Sequence, residues 1–133
     1  AAGKPGFTLA ENEIEIGTGI HGEPGIERGE IKSADEVTDI LLNKVVNQLE
    51  IDVDDEVAVM INGLGATPLM ELYIVNNRVS AVLKEMNISV RETFIGEYMT
   101  SLEMAGCSIT LLRLDQQLAE LLDAAADTIA FKK

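Results

Sequence analysis

Glu56-Val57-Ala58-Val59-Met60-Ile61-Asn62-Gly63-Leu64-Gly65-Ala66-Thr67-Pro68 is the stretch whose reading decides the fold. Val57, Val59 and Ile61 are β-branched and the run is apolar from Val57 to Ile61, which predicts a buried strand over 56–62. Asn62 to Ala66 supplies a tight loop. Thr67 is placed to cap a helix and Pro68 to fill its first position, where a missing N–H does no harm. Leu69, Leu72, Tyr73, Val79, Leu83 and Met86 then recur at helical spacing over about five turns. Strand, tight loop and long helix in succession are the building unit of an α/β protein.

Working outward, residues 88–95 alternate well enough for a strand. Residues 96–106 are ambiguous, with a short helical turn expected around Leu102-Glu103-Met104. Cys107, Ile109 and Leu111 alternate with Ser108 and Thr110, so 107–114 reads as a strand. Asp115 is placed to cap a last helix bearing Leu118, Leu121 and Leu122. In the other direction, Asp52, Asp54 and Asp55 make a polar break. Before it, Ser33 and Glu36 have capping-box spacing. Val37, Ile40, Leu41, Val45 and Leu49 follow as one helical face. Glu13-Ile14-Glu15-Ile16 alternates as a half-buried strand. Residues 17–29 hold five glycines and Pro24 and read as a loop. Pro5 and Gly6 are turn formers, and Phe7-Thr8-Leu9 suggests a short extended piece. Two long helices against about five strands predict a two-layer α/β sandwich with a mixed sheet.

The 133 residues suit a single domain over 1–133. Apolar residues make up 47% and charged residues 25%, which excludes a wholly disordered chain. The net charge of −13 repels phosphate backbones and anionic lipids, so neither nucleic acid nor a membrane surface is an expected partner. No apolar run approaches the roughly 20 residues of a membrane span, and no signal peptide is read. The one cysteine, Cys107, makes no intrachain disulfide and suits a reducing, cytoplasmic setting. The first residue is Ala1, which fits either removal of Met or a piece of a longer protein.

Candidate chemistry centres on the single histidine, His21, within Gly17-Thr18-Gly19-Ile20-His21-Gly22-Glu23-Pro24-Gly25. Imidazole is nucleophilic near neutral pH, and small neighbours let a substrate approach. An incidental loop histidine is the plainer reading. Gly17, Gly19 and Gly22 spell G-x-G-x-x-G, but no helix opens inside the run, so a dinucleotide site is rejected. The loop 62–68 has backbone N–H groups that could hold an anion, although no Lys completes a Walker A motif; an ordinary connecting turn is favoured. Glu11, Glu13, Glu15 and Asp52, Asp54, Asp55 lack EF-hand spacing and read as solvated faces. No metal site is expected. Cys107 reads as a packed apolar group, and the five methionines as core filling.

Read as a whole, Gly19-Ile20-His21-Gly22-Glu23-Pro24-Gly25-Ile26 resembles the active-site loop of the dihydroxyacetone-binding K subunit of dihydroxyacetone kinase. Further segments resemble the same family in the same order: Asn62 to Pro68 with Glu71-Leu72-Tyr73, Thr100 to Gly106, and Ser108 to Leu112. The resemblance implies that His21 bonds covalently to the ketone carbon of dihydroxyacetone as a hemiaminal, with Gly22 beside it in the substrate site. Glycerol, lacking a carbonyl, would then be rejected by reactivity. The covalent link would fix the terminal hydroxyl for phosphoryl transfer. The family subunit is more than twice as long, and this chain resembles only its C-terminal part. The family's aspartate and second histidine, which act in acid–base catalysis, belong to an N-terminal domain with no counterpart here. No cofactor is expected on this chain; the phosphoryl donor, ATP or a phosphoprotein, would sit on an L subunit or a fused domain. The isolated piece is not expected to be an active kinase. The family also implies a mixed sheet of about six strands on helices, and a homodimer. The competing readings are a regulatory or ligand-binding relative acting through a protein partner, and an α/β interaction domain with an incidental His21.

Overall fold

The computed structural model describes residue 5 and residues 7–133; the start at 1–4 and the Gly6 half of the expected turn lie outside them. Eight elements follow one another: β1 (Glu13–Ile16), β2 (Glu27–Glu30), α1 (Ala34–Leu49), β3 (Glu56–Gly63), α2 (Leu69–Glu85), β4 (Ser89–Gly96), β5 (Cys107–Leu114) and α3 (Gln116–Asp123). Contacts divide the chain into two units, residues 1–33 and 34–133.

In the larger unit β3 is central, in the order β4-β3-β5. It runs parallel to β4 and antiparallel to β5, so the sheet is mixed as expected. Paired on both edges, it carries the β-branched run that the sequence supplies. Val57, Val59 and Ile61 face the helices with Ile109 and Leu111, and meet Leu42, Val46, Leu72, Val79 and Leu83 in one core. α1 and α2 pack side by side on this face. A bidentate pair joins them, Arg78 donating to both carboxylate oxygens of Asp39 at 2.8 Å, which holds the Asp39 carboxyl below its ordinary range.

The opposite face carries Met60, Phe94 and Thr110 in register. Phe131 lies on Phe94, with ring centroids 5.4 Å apart, and Tyr98 completes the aromatic triangle. Lys133 pairs with Glu92 nearby. A bulge in β4 leaves Arg91 as the extra residue, and its guanidinium bridges Glu56 and Asp123.

The α/β class with a mixed sheet holds, while the strand count differs: five strands in two separate sheets among the described residues, not about six in one. The segment 101–104 bends without a helical turn, and residues 7–9 are not a strand. The face of α1 is turned by one residue from the expected one. Thr38, Leu42 and Val46 are its buried positions, and Val37, Ile40, Leu41 and Val45 flank them. Thr38 escapes a hydrophobicity count, yet it is fully buried because its hydroxyl donates to Ala34 O at 2.7 Å. Asp115 caps α3 as expected, accepting from Leu118 N at 2.7 Å, but Ala119 rather than Leu121 is its buried residue. In denaturant unfolding, Leu42→Ala should lower stability by about 2–5 kcal/mol. Leu49→Ala, at the exposed end of the expected face, should cost less than about 1 kcal/mol.

Candidate active-site loop

The smaller unit is a hairpin whose strands pair antiparallel, Glu13 with Glu30 and Ile16 with Glu27. β1 forms where its alternation predicts it. β2 was hidden in the expected loop because Glu27-Arg28-Gly29-Glu30 has no apolar residue and is exposed throughout. It exists through pairing, with Arg28 directly opposite Glu15. The hairpin is closed at its loop end by Ile26 N donating to Ile16 O at 2.8 Å.

Glu15 anchors this framework. Its side chain is only 3% exposed. Its carboxylate accepts from Arg28 Nε, from Gly25 N at 2.6 Å and from Thr18 Oγ1 at 3.3 Å. The Gly25 N–H foremost, then Arg28, holds the carboxyl below its ordinary value against the opposing effect of desolvation. A solvated acidic face is therefore the wrong reading for Glu15. Gly25 must lack a side chain, since a Cβ there would sit 2.5 Å from Ile16 O.

Within the loop, Gly19 N donates to Glu23 O at 2.9 Å and Gly22 N to Gly19 O at 3.0 Å. Ile20 and His21 thus occupy the two central positions of a tight turn. Gly22, with φ +86°, closes it, and beyond its chain neighbours no described residue comes within 4 Å of where its Cβ would be. The side chain of His21 is 84% exposed. Among the described residues its side-chain partner is Glu23: Oε2 accepts from His21 N at 3.0 Å, and Oε1 faces Nδ1 at 3.2 Å. Glu23's own backbone N–H, followed by that of His21, lowers the Glu23 carboxyl below its ordinary value. An ionised carboxylate only accepts, so Glu23 Oε1 receives a hydrogen bond from the ring only when Nδ1 carries a proton.

Of the residues singled out from sequence, His21 and Gly22 lie together in this turn. The β3–α2 loop, in the other unit, has a different use. Its Leu64 and Ala66 N–H groups donate to Gly106 O and Met104 O, both at 3.2 Å, and do not await an anion. Thr67 does not cap α2, whose cap is Pro68; its hydroxyl instead exchanges hydrogen bonds with Gly106 O and N, each 2.8 Å. Asn62, 3% exposed, accepts from Tyr98 N and Met99 N and donates to Met99 O and Ser108 Oγ, so its amide is fully satisfied. These bonds fix the 97–106 segment against β3. Gly65, at φ +106°, lies so close to Ser101 O that a Cβ would fall 2.6 Å from it. Burial pushes the Cys107 thiol up and leaves it packed on the core. Among the described residues, no three His, Cys, Asp or Glu side chains are grouped to hold a metal ion, and no helix is long and apolar enough to cross a membrane.

Comparison with known proteins gives concordant matches. The sequence profile of the Dak1 domain covers residues 1–130. The dihydroxyacetone-binding subunit of a PTS-dependent dihydroxyacetone kinase from Listeria innocua is 45% identical over 130 residues, covering 98% of this chain and 39% of that protein. The corresponding subunit of the PEP-dependent kinase of Escherichia coli is 38% identical, over 98% of this chain and 43% of that protein. Among solved structures, a dihydroxyacetone kinase operon co-activator superposes with a TM-score of 0.84 at 32% identity, covering 93% of this chain and 39% of that one. The dihydroxyacetone kinase of C. freundii with AMP-PNP and Mg2+ gives 0.73 at 26% identity, over 86% and 21%. The chain thus spans about two fifths of the length of the curated subunits it matches.

The Glu15 anchor sets an acid limit for the hairpin. A lowered folded value means that the stabilisation is complete above the ordinary glutamate value of 4.5 and is lost as pH falls through the folded value. The protection factor of the Gly25 N–H, its exchange rate divided into the intrinsic rate at the same pH, should therefore fall on acidification below that range. Glu15→Gln should exchange faster already at neutral pH and show no further acid step.

Proposed function

The chain belongs to the Dak1 domain family, and on that premise we propose that it is the substrate-anchoring part of a dihydroxyacetone (glycerone) kinase. His21 binds the ketone covalently. The observation that carries this reading is the placement of a largely exposed His21 at the tip of a glycine turn, with Nδ1 against Glu23.

Nε2 donates its lone pair to the carbonyl carbon and forms a C–N bond. The carbonyl π pair moves to oxygen, which takes a proton from water. The Nδ1 proton is released to water, and a neutral hemiaminal remains. The reaction selects for a carbonyl, so glycerol is not retained. Held by one covalent bond, the substrate presents a terminal hydroxyl in fixed geometry, and positioning accounts for much of the rate in phosphoryl transfer. The donor, ATP or a phosphoprotein, is carried by an L subunit or domain, and the acid–base groups by a segment outside this chain. The two Listeria and Escherichia subunits are parts of kinases named PTS-dependent and PEP-dependent, which supports a phosphoprotein source. Action in the cytoplasm and a homodimeric assembly complete the proposal.

The likeness to an operon co-activator supports a second reading, a regulatory module that acts through a protein partner. Carbon-13 NMR with carbonyl-labelled dihydroxyacetone separates the two. A protein-bound tetrahedral carbon distinct from the free hydrate, present in the wild type and absent in His21→Ala, is the expected result. An identical spectrum for both proteins overturns the covalent reading for this chain and favours the regulatory one.

A further inference from the structure

We infer that Glu23 is a positioning residue: lodged in the space left by the missing side chain of Gly19, its carboxylate keeps the proton of His21 on Nδ1 and so makes Nε2 the attacking atom. The inference deepens the proposal above and rests on its reading of His21 as the nucleophile.

Three features of the turn converge on this role. The backbone from Gly19 to Glu23 closes on itself through Gly19 N to Glu23 O and Gly22 N to Gly19 O, which brings the Glu23 side chain back over the turn. There it occupies the volume a side chain at position 19 would need. A Cβ on Gly19 would lie 2.1 Å from Glu23 Oε2 and 2.7 Å from Glu23 Cβ. The two oxygens then divide their work, Oε2 on the His21 backbone N–H and Oε1 on Nδ1. One carboxylate fixes both the turn and the ring.

The chemical effect follows from the tautomers of imidazole. Only the nitrogen without a proton can attack a carbonyl. Neutral histidine in water favours the proton on Nε2, the outward atom here, and that form presents no lone pair to a substrate from solvent. A carboxylate on Nδ1 reverses the preference, and its charge stabilises the cationic ring that forms on attack. A pair exposed at 84% and 58% contributes little to stability, so its consequence lies in direction and tautomer.

The single histidine makes the test direct, because the chain labelled with nitrogen-15 histidine gives one pair of ring signals. Spectra would be taken at about pH 8, where imidazole is neutral. The wild type should show the Nδ1–H tautomer. Glu23→Ala should move the population toward Nε2–H. Gly19→Ala should do the same with both functional side chains intact, by displacing the carboxylate. Glu23→Gln, whose amide oxygen still accepts, should keep the Nδ1–H form. Adduct formation with labelled dihydroxyacetone should slow on the order of 10–100-fold in Glu23→Ala and Gly19→Ala, the range for partners that orient a histidine ligand, and slow less in Glu23→Gln, which keeps the tautomer and loses only the charge. Unchanged tautomers in Glu23→Ala and Gly19→Ala overturn the inference. A shifted tautomer in these variants with no adduct even in the wild type supports Glu23's role and defeats the covalent reading instead. If Glu23→Ala fails to fold, Gly19→Ala and Glu23→Gln decide between the same results.

Discussion

β3 is hydrogen-bonded along both edges, to β4 in parallel and to β5 in antiparallel register. The larger unit depends on that constraint. A strand paired on two sides has no backbone groups left for water, so its alternating side chains must satisfy the environments on both faces of the sheet. Val57, Val59 and Ile61 meet the helices on one side, and Met60 faces the aromatic side on the other. Asn62, at the end of the strand, is the one buried polar residue of the sheet. It is tolerated because four hydrogen bonds complete its amide. Through it the strand dictates where the 97–106 segment begins.

The hairpin solves a different problem. It carries a long glycine-rich loop, and glycine gives the chain more freedom than a defined geometry can tolerate. Glu15 removes much of that freedom from one side by taking the Gly25 N–H, Arg28 and Thr18 together. Glu23 removes it from the other by gripping the backbone and ring of His21. Both are carboxylates that accept from backbone N–H groups, and both replace the missing hydrophobic support of a short, exposed hairpin. The acid-rich composition is therefore structural at these two places and solvent-facing at many others.

The sequence was most legible where burial drives structure. β3, β4, β5 and α2 follow from apolar period alone, and β5 was read to the residue. β2 was not legible, because Glu27-Arg28-Gly29-Glu30 has no apolar face and its order comes from a partner strand thirteen residues away in the Glu15–Arg28 pair. The turn of α1 was misplaced because a buried Thr38 scores as polar until its bond to Ala34 O is known. In the candidate site, His21 and Gly22 stood out by residue type and motif. Glu23 stood in the same motif without a role, since spacing alone does not say that the turn folds it back onto the histidine. Thr67 illustrates the reverse error: its position before Pro68 signals a cap, while its hydroxyl is engaged by Gly106, far along the chain.

The outward placement of His21 has an evolutionary consequence. The side chain is largely exposed, and among the described residues its hydrogen-bond partner is Glu23. Its replacement therefore leaves the framework that presents it standing. A lineage can lose this histidine in one codon and keep the scaffold, free to be recruited for sensing or for contact with other proteins. Changes at this tip can thus accumulate on one backbone without an unstable intermediate between them.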